Sequence, residues 1–147
     1  MKGVSIGDTV SRRRTFTLED MALFRALHHD HNPIHHDVSF AASTPFGRPI
    51  VPLVMYVGMI SSILAGDLKV QAWIDMGQTI PKNPAFLGEE VIGEVRIVDI
   101  IPKPHKGFSI LKYHGIVYVE REGSRIVMLE QPGAGTVPIV VPVSLAA

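Results

Sequence analysis

Between residues 52 and 65 the chain carries Leu53, Val54, Tyr56, Val57, Met59, Ile60, Ile63 and Leu64. At helical spacing these cover nearly every face, and a helix that is apolar all round must be enclosed by other structure. Pro52 is tolerated near its first turn, where the amide has no intrahelical partner in any case. Gly66 offers a C-cap. The whole apolar run, residues 49–65, is 17 residues long and is interrupted by Pro52, Tyr56, Gly58, Ser61 and Ser62. That is too short and too punctuated for a membrane span. The rest of the chain must therefore wrap this helix.

The material for wrapping it follows directly. Residues 70–80, 89–101, 108–120 and 125–130 are rich in Val, Ile and Tyr and are separated by Pro, Gly and Lys clusters, the pattern of strands. Glu122-Gly123 sits where a hairpin turn is needed. Upstream, residues 6–16 read as an opening strand. Thr17, with Asp20 at the capping-box position, starts a helix whose stripe is Leu18, Met21, Ala22, Phe24, Arg25 and Leu27. It must end near Asp30, because Pro33 disfavours helical geometry in Asn32. Residues 39–42 suit a further short turn of helix. From about Pro132 the tail carries Gly and Pro and is expected to be irregular. One enclosed helix and a run of antiparallel strands define an α+β fold, and 147 residues suit a single domain spanning 1–147.

Fourteen basic residues balance fourteen acidic ones, so charge offers no reason to expect nucleic acid or an anionic membrane as partner. There are no cysteines, which removes thiolate nucleophiles, disulfides and Cys-ligated zinc together. The N-terminal residues 1–14 are polar and lack the apolar core of a signal peptide. A cytoplasmic protein follows as the expectation.

Chemistry concentrates in one place. His28, His29, His31, His35 and His36 fall within nine residues, together with Asp30 and Asp37. Asn32-Pro33 forces a turn among them, and a turn can bring Asp30 and His35 to face each other across a small space. A carboxylate and an imidazole sharing one water are what general acid/base chemistry requires. The bland alternative is a helix-ending turn with Asp30 as a cap and His35 as polar surface. A metal site is disfavoured, since the spacing is not that of a helical zinc motif and the turn sends the side chains apart. A second feature is the start of the enclosed helix near Leu53 and Val54. Free N–H groups and the positive end of the dipole lie there and can hold a carbonyl oxygen that gains charge. The triplet Arg12-Arg13-Arg14 suits either phosphate recognition or, more often, a solvated strand face.

These residues resemble the signature of the MaoC-like, (R)-specific enoyl-CoA hydratases. That pattern runs from an aromatic residue through Gly-Asp-x-Asn-Pro-aliphatic-His to an Ala five residues later. Here Phe24 leads, Asp30-His31-Asn32-Pro33-Ile34-His35 follows, and Ala41 closes it. Phe46-Gly47-Arg48-Pro49-Ile50 is similar to the family's approach to its central helix, and Phe86-Leu87-Gly88-Glu89-Glu90 to the turn that opens a later strand.

The resemblance implies a hot-dog fold, with an antiparallel sheet wrapped around the long helix, and a homodimer or dimer of dimers. It implies hydration of 2-enoyl thioesters or dehydration of (R)-3-hydroxyacyl thioesters, carried by coenzyme A or an acyl-carrier protein, with no cofactor and no metal. Such substrates belong to fatty-acid or polyketide chemistry. By the same resemblance Asp30 and His35 hold the reacting water, with Asp30 as base and His35 as proton donor. Asn32 supports their geometry, the Leu53 amide binds the thioester carbonyl, and Ser61 borders the site.

Two departures bear on substrate. His29 stands where the family has Gly, which restricts close approach to the backbone. Val51-Pro52-Leu53 stands where the family has Ala/Val-His-Gly. Two other functions therefore stay open: a double-bond isomerase or other tailoring enzyme on the same scaffold, and a non-catalytic acyl-thioester-binding subunit. Tyr56 and Met59 read as core or as the wall of an acyl tunnel, and Ser61 and Ser62 have a bland reading as serines bonded back to their own helix.

Overall fold

The structure is a computed structural model and describes residues 4–138. Strand β1 (Thr9–Thr15) leads into helix α1 (Leu18–His28). The capping box forms as the sequence indicates. Thr17 Oγ1 accepts the Asp20 N–H at 3.3 Å, and the Asp20 carboxylate accepts the Thr17 N–H at 2.9 Å. Of the α1 stripe, Met21 and Phe24 are buried, whereas Leu18 and Leu27 face outward, as does Leu23 outside it. A one-turn 3-10 helix (Pro33–His35) and α2 (Val38–Ala42) follow, and then α3 (Leu53–Gly66). Pro52 is the residue before the first helical one, and Gly66 lies inside the last turn.

The sheet wraps α3. Its order is β1-β4-β5-β6-β2, with β4 (Glu90–Lys103), β5 (Phe108–Arg121), β6 (Ser124–Pro138) and β2 (Ala72–Asp75), while the short β3 (Ile80–Pro81) also pairs with β6. All pairings are antiparallel. Alternate residues of β5 (Leu111, Tyr113, Val117 and Val119) are buried, the period of two that a half-covered strand requires. Ile60, Ile63 and Leu64 of α3 meet that face in one core. The helix rests directly on the strands at Gly115, where an added Cβ would lie 2.9 Å from Ile60 Cδ1. The hairpin at Glu122-Gly123 has positive φ at both residues (51° and 77°), the geometry of the tight two-residue turn.

Two expectations are corrected. Residues 70–80 do not form one strand. The Asp75 carboxylate accepts the Gly77 N–H at 2.7 Å, closing a turn that separates β2 from β3. The tail is not irregular from Pro132, because β6 continues to Pro138. Pro132 falls between the stretch of β6 paired with β3 and that paired with β2, where its missing N–H is tolerated. Gly133 and Gly135 then let the strand press against Tyr113, Val70 and the β2 backbone, where any side chain would collide. The remainder of the tail lies outside the described residues.

Candidate active site

The chain reverses sharply between α1 and α3, and short-range hydrogen bonds hold the reversal. His29 ends α1 in the left-handed region (φ 55°, ψ 27°), its N–H on the Arg25 carbonyl. This explains the departure at His29 better than substrate approach does. The position is a helix terminator with positive φ, which glycine adopts without strain. Asp30 Oδ1 accepts the Asn32 N–H at 3.0 Å, and Asn32 Oδ1 accepts the Ile34 N–H at 3.2 Å. Two successive side-chain turns thus carry the chain past Pro33. Asp30 Oδ2 has no hydrogen-bond partner among the described residues. Ile34 is buried and anchors the turn, while Asp30 and His35 are each partly exposed.

His35 is held from outside the turn. Its Nδ1 lies 2.8 Å from the Ile50 carbonyl oxygen, 15 residues on. A carbonyl only accepts, so Nδ1 carries a hydrogen and Nε2 is left for other work. The Ile50 N–H returns to the Ile34 carbonyl at 3.2 Å. The segment before α3 is pinned in turn to residues 85–87. Val51 N–H donates to Ala85 O at 2.9 Å and Leu87 N–H to Pro49 O at 3.1 Å.

This packing leaves a cavity of about 450 Å³ walled by His35, Phe46, Ile50, Leu53, Tyr56 and Met128, among others. Leu53 opens α3, and the N–H groups of Leu53 and Val54 have no acceptor among the described residues. The helix start therefore offers free donors and the positive end of a dipole. The structure thus brings His35 and Leu53 into one cavity. Asp30 and Asn32 stand beside it on the turn and are not part of its wall. Ser61 belongs elsewhere: it lines a cavity of about 530 Å³ with His28, Val54, Val57, Gly58 and Trp73. Its neighbour Ser62 bonds back to the Met59 carbonyl at 2.8 Å.

The remaining histidines disperse. The His28 ring packs on Phe24 at 4.7 Å between centroids, His29 terminates α1, and His36 closes the 3-10 turn through its N–H on Pro33 O. Among the described residues no group of three or more His, Asp or Glu is placed to hold a metal ion. The arginine triplet is spent on ion pairs, Arg12 with Asp67, Arg13 with Glu90 and Arg14 with Asp20. No helix among the described residues is long and apolar enough to cross a membrane.

Two parts of the site have little trace in the sequence. The carbonyl of Ile50 is a backbone group and carries no residue signature. The hydroxyl of Tyr56 accepts the Ala85 N–H at 2.9 Å, and its one signal is a lone phenol on an otherwise aliphatic helix face. A third support is the residue 84–89 segment. Glu89 takes the Arg121 guanidinium through both carboxylate oxygens at 2.8 Å and also the Phe86 N–H. Burial alone would push that carboxyl up, but Arg121 and the Phe86 amide outweigh it, so it titrates below its ordinary range.

Comparison with known proteins identifies the family. A relative from Aeromonas caviae, an (R)-specific enoyl-CoA hydratase, is 35% identical over 97 residues, 65% of this chain and 72% of the relative. A mitochondrial 3-hydroxyacyl-acyl-carrier-protein dehydratase of Solanum lycopersicum is 31% identical over 98 residues, and that match spans 66% of this chain but only 58% of the relative. The solved structure of an (R)-hydratase from A. caviae involved in PHA biosynthesis superposes with a TM-score of 0.79 at 25% identity. It covers 94% of this chain and 100% of its own. Residues 3–103, more than half of the chain and inclusive of the Asp30–His35 turn and α3, match the MaoC-like domain family; the chain belongs to that family and carries its hot-dog fold.

Proposed function

We propose that the protein is a hydratase or dehydratase acting on 2-enoyl and (R)-3-hydroxyacyl thioesters, with Asp30 and His35 as its acid/base pair. The observation that carries this is the fixing of His35 Nδ1 on the Ile50 carbonyl. It leaves Nε2 available in the same cavity as Leu53, the first residue of α3. Asp30, with one carboxylate oxygen engaged and the other open, lies across the turn. The named activities of the two curated relatives support the same chemistry, on coenzyme A in one and on an acyl-carrier protein in the other.

In the hydration direction the thioester carbonyl takes the Leu53 N–H. Asp30 removes a proton from water as its oxygen bonds to Cβ. The alkene pair moves toward the carbonyl, which gains enolate charge at the helix start. With Nδ1 held by Ile50, Nε2 of the charged ring delivers a proton to Cα. Water is added in sum, and dehydration is the same path reversed. The neutral ring then accepts the Cα proton at Nε2, and protonated Asp30 supplies the departing hydroxyl with its hydrogen. The two groups work as a coupled pair.

Asn32 holds the turn that sets their spacing, and Ser61 borders the neighbouring cavity, where an acyl chain has room. We read the working unit as a cytoplasmic homodimer or dimer of dimers, which would cover the outward-facing Leu23, Leu27, Val38 and Phe40. Replacing Asp30 by Asn tests the reading with crotonyl-CoA or a carrier-bound analogue. Turnover should be abolished in a folded protein, and unchanged turnover would overturn the assignment.

The altered helix start, Val51-Pro52-Leu53, favours one second reading, a double-bond isomerase using His35 as proton shuttle. NMR in deuterated water separates the two. Exchange without water addition supports the isomerase, and a 3-hydroxyacyl product excludes it as the main activity.

A further inference from the structure

The short ladder between residues 49–51 and 85–87 stops halfway through a pair. Ile50 bridges Phe86, flanked by Val51 N–H to Ala85 O and Leu87 N–H to Pro49 O. In an uninterrupted antiparallel ladder Val51 and Ala85 would exchange both of their bonds. Only one is made. The Ala85 N–H donates instead to the Tyr56 hydroxyl at 2.9 Å. Aromatic side chains on a helix lean toward its N-terminus. Tyr56, one turn into α3, therefore reaches back toward the helix start, and its oxygen replaces the Val51 carbonyl as acceptor of the Ala85 N–H.

That placement leaves a donor over. A phenol accepts through its oxygen and donates its own hydrogen. Ala85 occupies the accepting side, and the Tyr56 O–H has no acceptor among the described residues. The ring is only 3% exposed and lines the cavity that contains His35 and Leu53. The other donor side chains on that wall each have a partner within the protein. Lys82 pairs with Glu130 at 3.2 Å, Asn83 Nδ2 donates to Val127 O at 2.8 Å, and His35 Nδ1 faces Ile50 O. Burial also pushes the phenol up to about 12, so it keeps its hydrogen across the working range of pH.

We propose that Tyr56 is a substrate-contacting residue whose hydroxyl donates to the thioester carbonyl oxygen beside the Leu53 amide. The assignment rests on the hydratase reading above for its substrate class. No proton leaves the phenol. It stays bonded while the carbonyl oxygen gains enolate charge, and the hydrogen bond strengthens as that charge develops. A purely structural Tyr56 would do no more than satisfy Ala85.

The test reads the bound carbonyl and needs no turnover. Butyryl-CoA labelled with carbon-13 at the thioester carbonyl is bound to the full chain and its infrared band recorded, with and without Tyr56→Phe. The proposal expects a band shifted to lower frequency in the parent protein and a smaller shift in the variant. With crotonyl-CoA, kcat should fall by about 100- to 1000-fold, on the scale seen for loss of one oxyanion donor, while KM moves far less. An unchanged band and kcat with a lowered Tm would overturn it.

If Tyr56→Phe does not fold, 3,5-difluorotyrosine at position 56 keeps the ring and hydroxyl. As a stronger donor it should shift the band further, and no change would overturn the proposal. Turnover of crotonyl-CoA by the parent with a Tyr56-independent band removes the Tyr56 role and leaves the hydratase reading. A Tyr56-dependent band without turnover of any enoyl thioester does the reverse, and absence of thioester binding overturns both.

Discussion

The first turn of α3 divides two cavities that differ in how their polar groups are held. On one side are His35, Leu53 and Tyr56; on the other are Val54, Ser61 and Trp73. In the first, side chains are fixed by distant backbone, His35 by Ile50 and Tyr56 by Ala85. In the second, Ser62 bonds back to its own helix and the wall is otherwise mostly aliphatic and aromatic. Fixed polar atoms make proton transfer and charge stabilisation possible, because the geometry is set before substrate arrives. A mostly apolar wall suits a hydrocarbon chain, although Arg14, His28 and Trp73 also line it. On the proposed function, adjacent residues of one helix serve reaction and accommodation separately.

The largest expected effect breaks this contrast directly. His35→Ala should lower turnover of an enoyl thioester by about 10²- to 10⁴-fold, the range for loss of a general acid or base. Ser61→Ala in the other cavity should change it by less than about threefold, the scale of a substitution away from the reacting groups. Steady-state kinetics on the two variants measure the difference. Equal losses would show that the cavities act as one.

A smaller effect concerns the scaffold of the first cavity alone. Glu89→Gln loosens the 84–89 segment that carries Ala85 and should cost about 1–3 kcal/mol at neutral pH, as for a charged hydrogen bond. Glu89 titrates below its ordinary value of 4.5. Its stabilisation is therefore complete above that value and is lost as pH falls through the lower, folded-state value. The gap in stability between parent and Glu89→Gln should narrow below about pH 4.5, read by urea denaturation at several pH values. The smallest effect lies at the turn itself. His29→Gly should raise stability by about 1 kcal/mol, because it relieves a non-glycine residue from the left-handed region. A loss of stability would mean that the His29 ring makes compensating contacts.

Much of this was legible beforehand, for identifiable reasons. The capping box at Thr17 and Asp20 and the Glu122-Gly123 hairpin are local devices whose geometry is dictated within a few residues. That the sheet would cover α3 followed from its apolar faces, but only one side is covered, and Leu53 and Val54 stay exposed at the helix start. The Asp30–His35 turn was readable because Asn32-Pro33 allows few conformations. By contrast, residues 70–80 carry β-formers on both sides of Asp75 and Gly77, and the side-chain turn that closes between those two makes the break. The continuation of β6 through Pro132 depended on which neighbours pair with it, and composition pointed the other way. In α1, Leu18 and Leu27 read as part of the apolar stripe to be covered, yet only Met21 and Phe24 are buried.

By itself the sequence determined most of the elements, the central helix and the turn bearing Asp30 and His35, since each depends on near neighbours or on simple periodicity. Only the tertiary structure decided which nitrogen of His35 is held, that Ser61 stands in a separate cavity, and that Tyr56 completes an interrupted ladder. Those outcomes depend on backbone carbonyls and amides of Ile50 and Ala85. Every residue has such groups, so no residue type announces them, and only folding brings a chosen one to a chosen side chain.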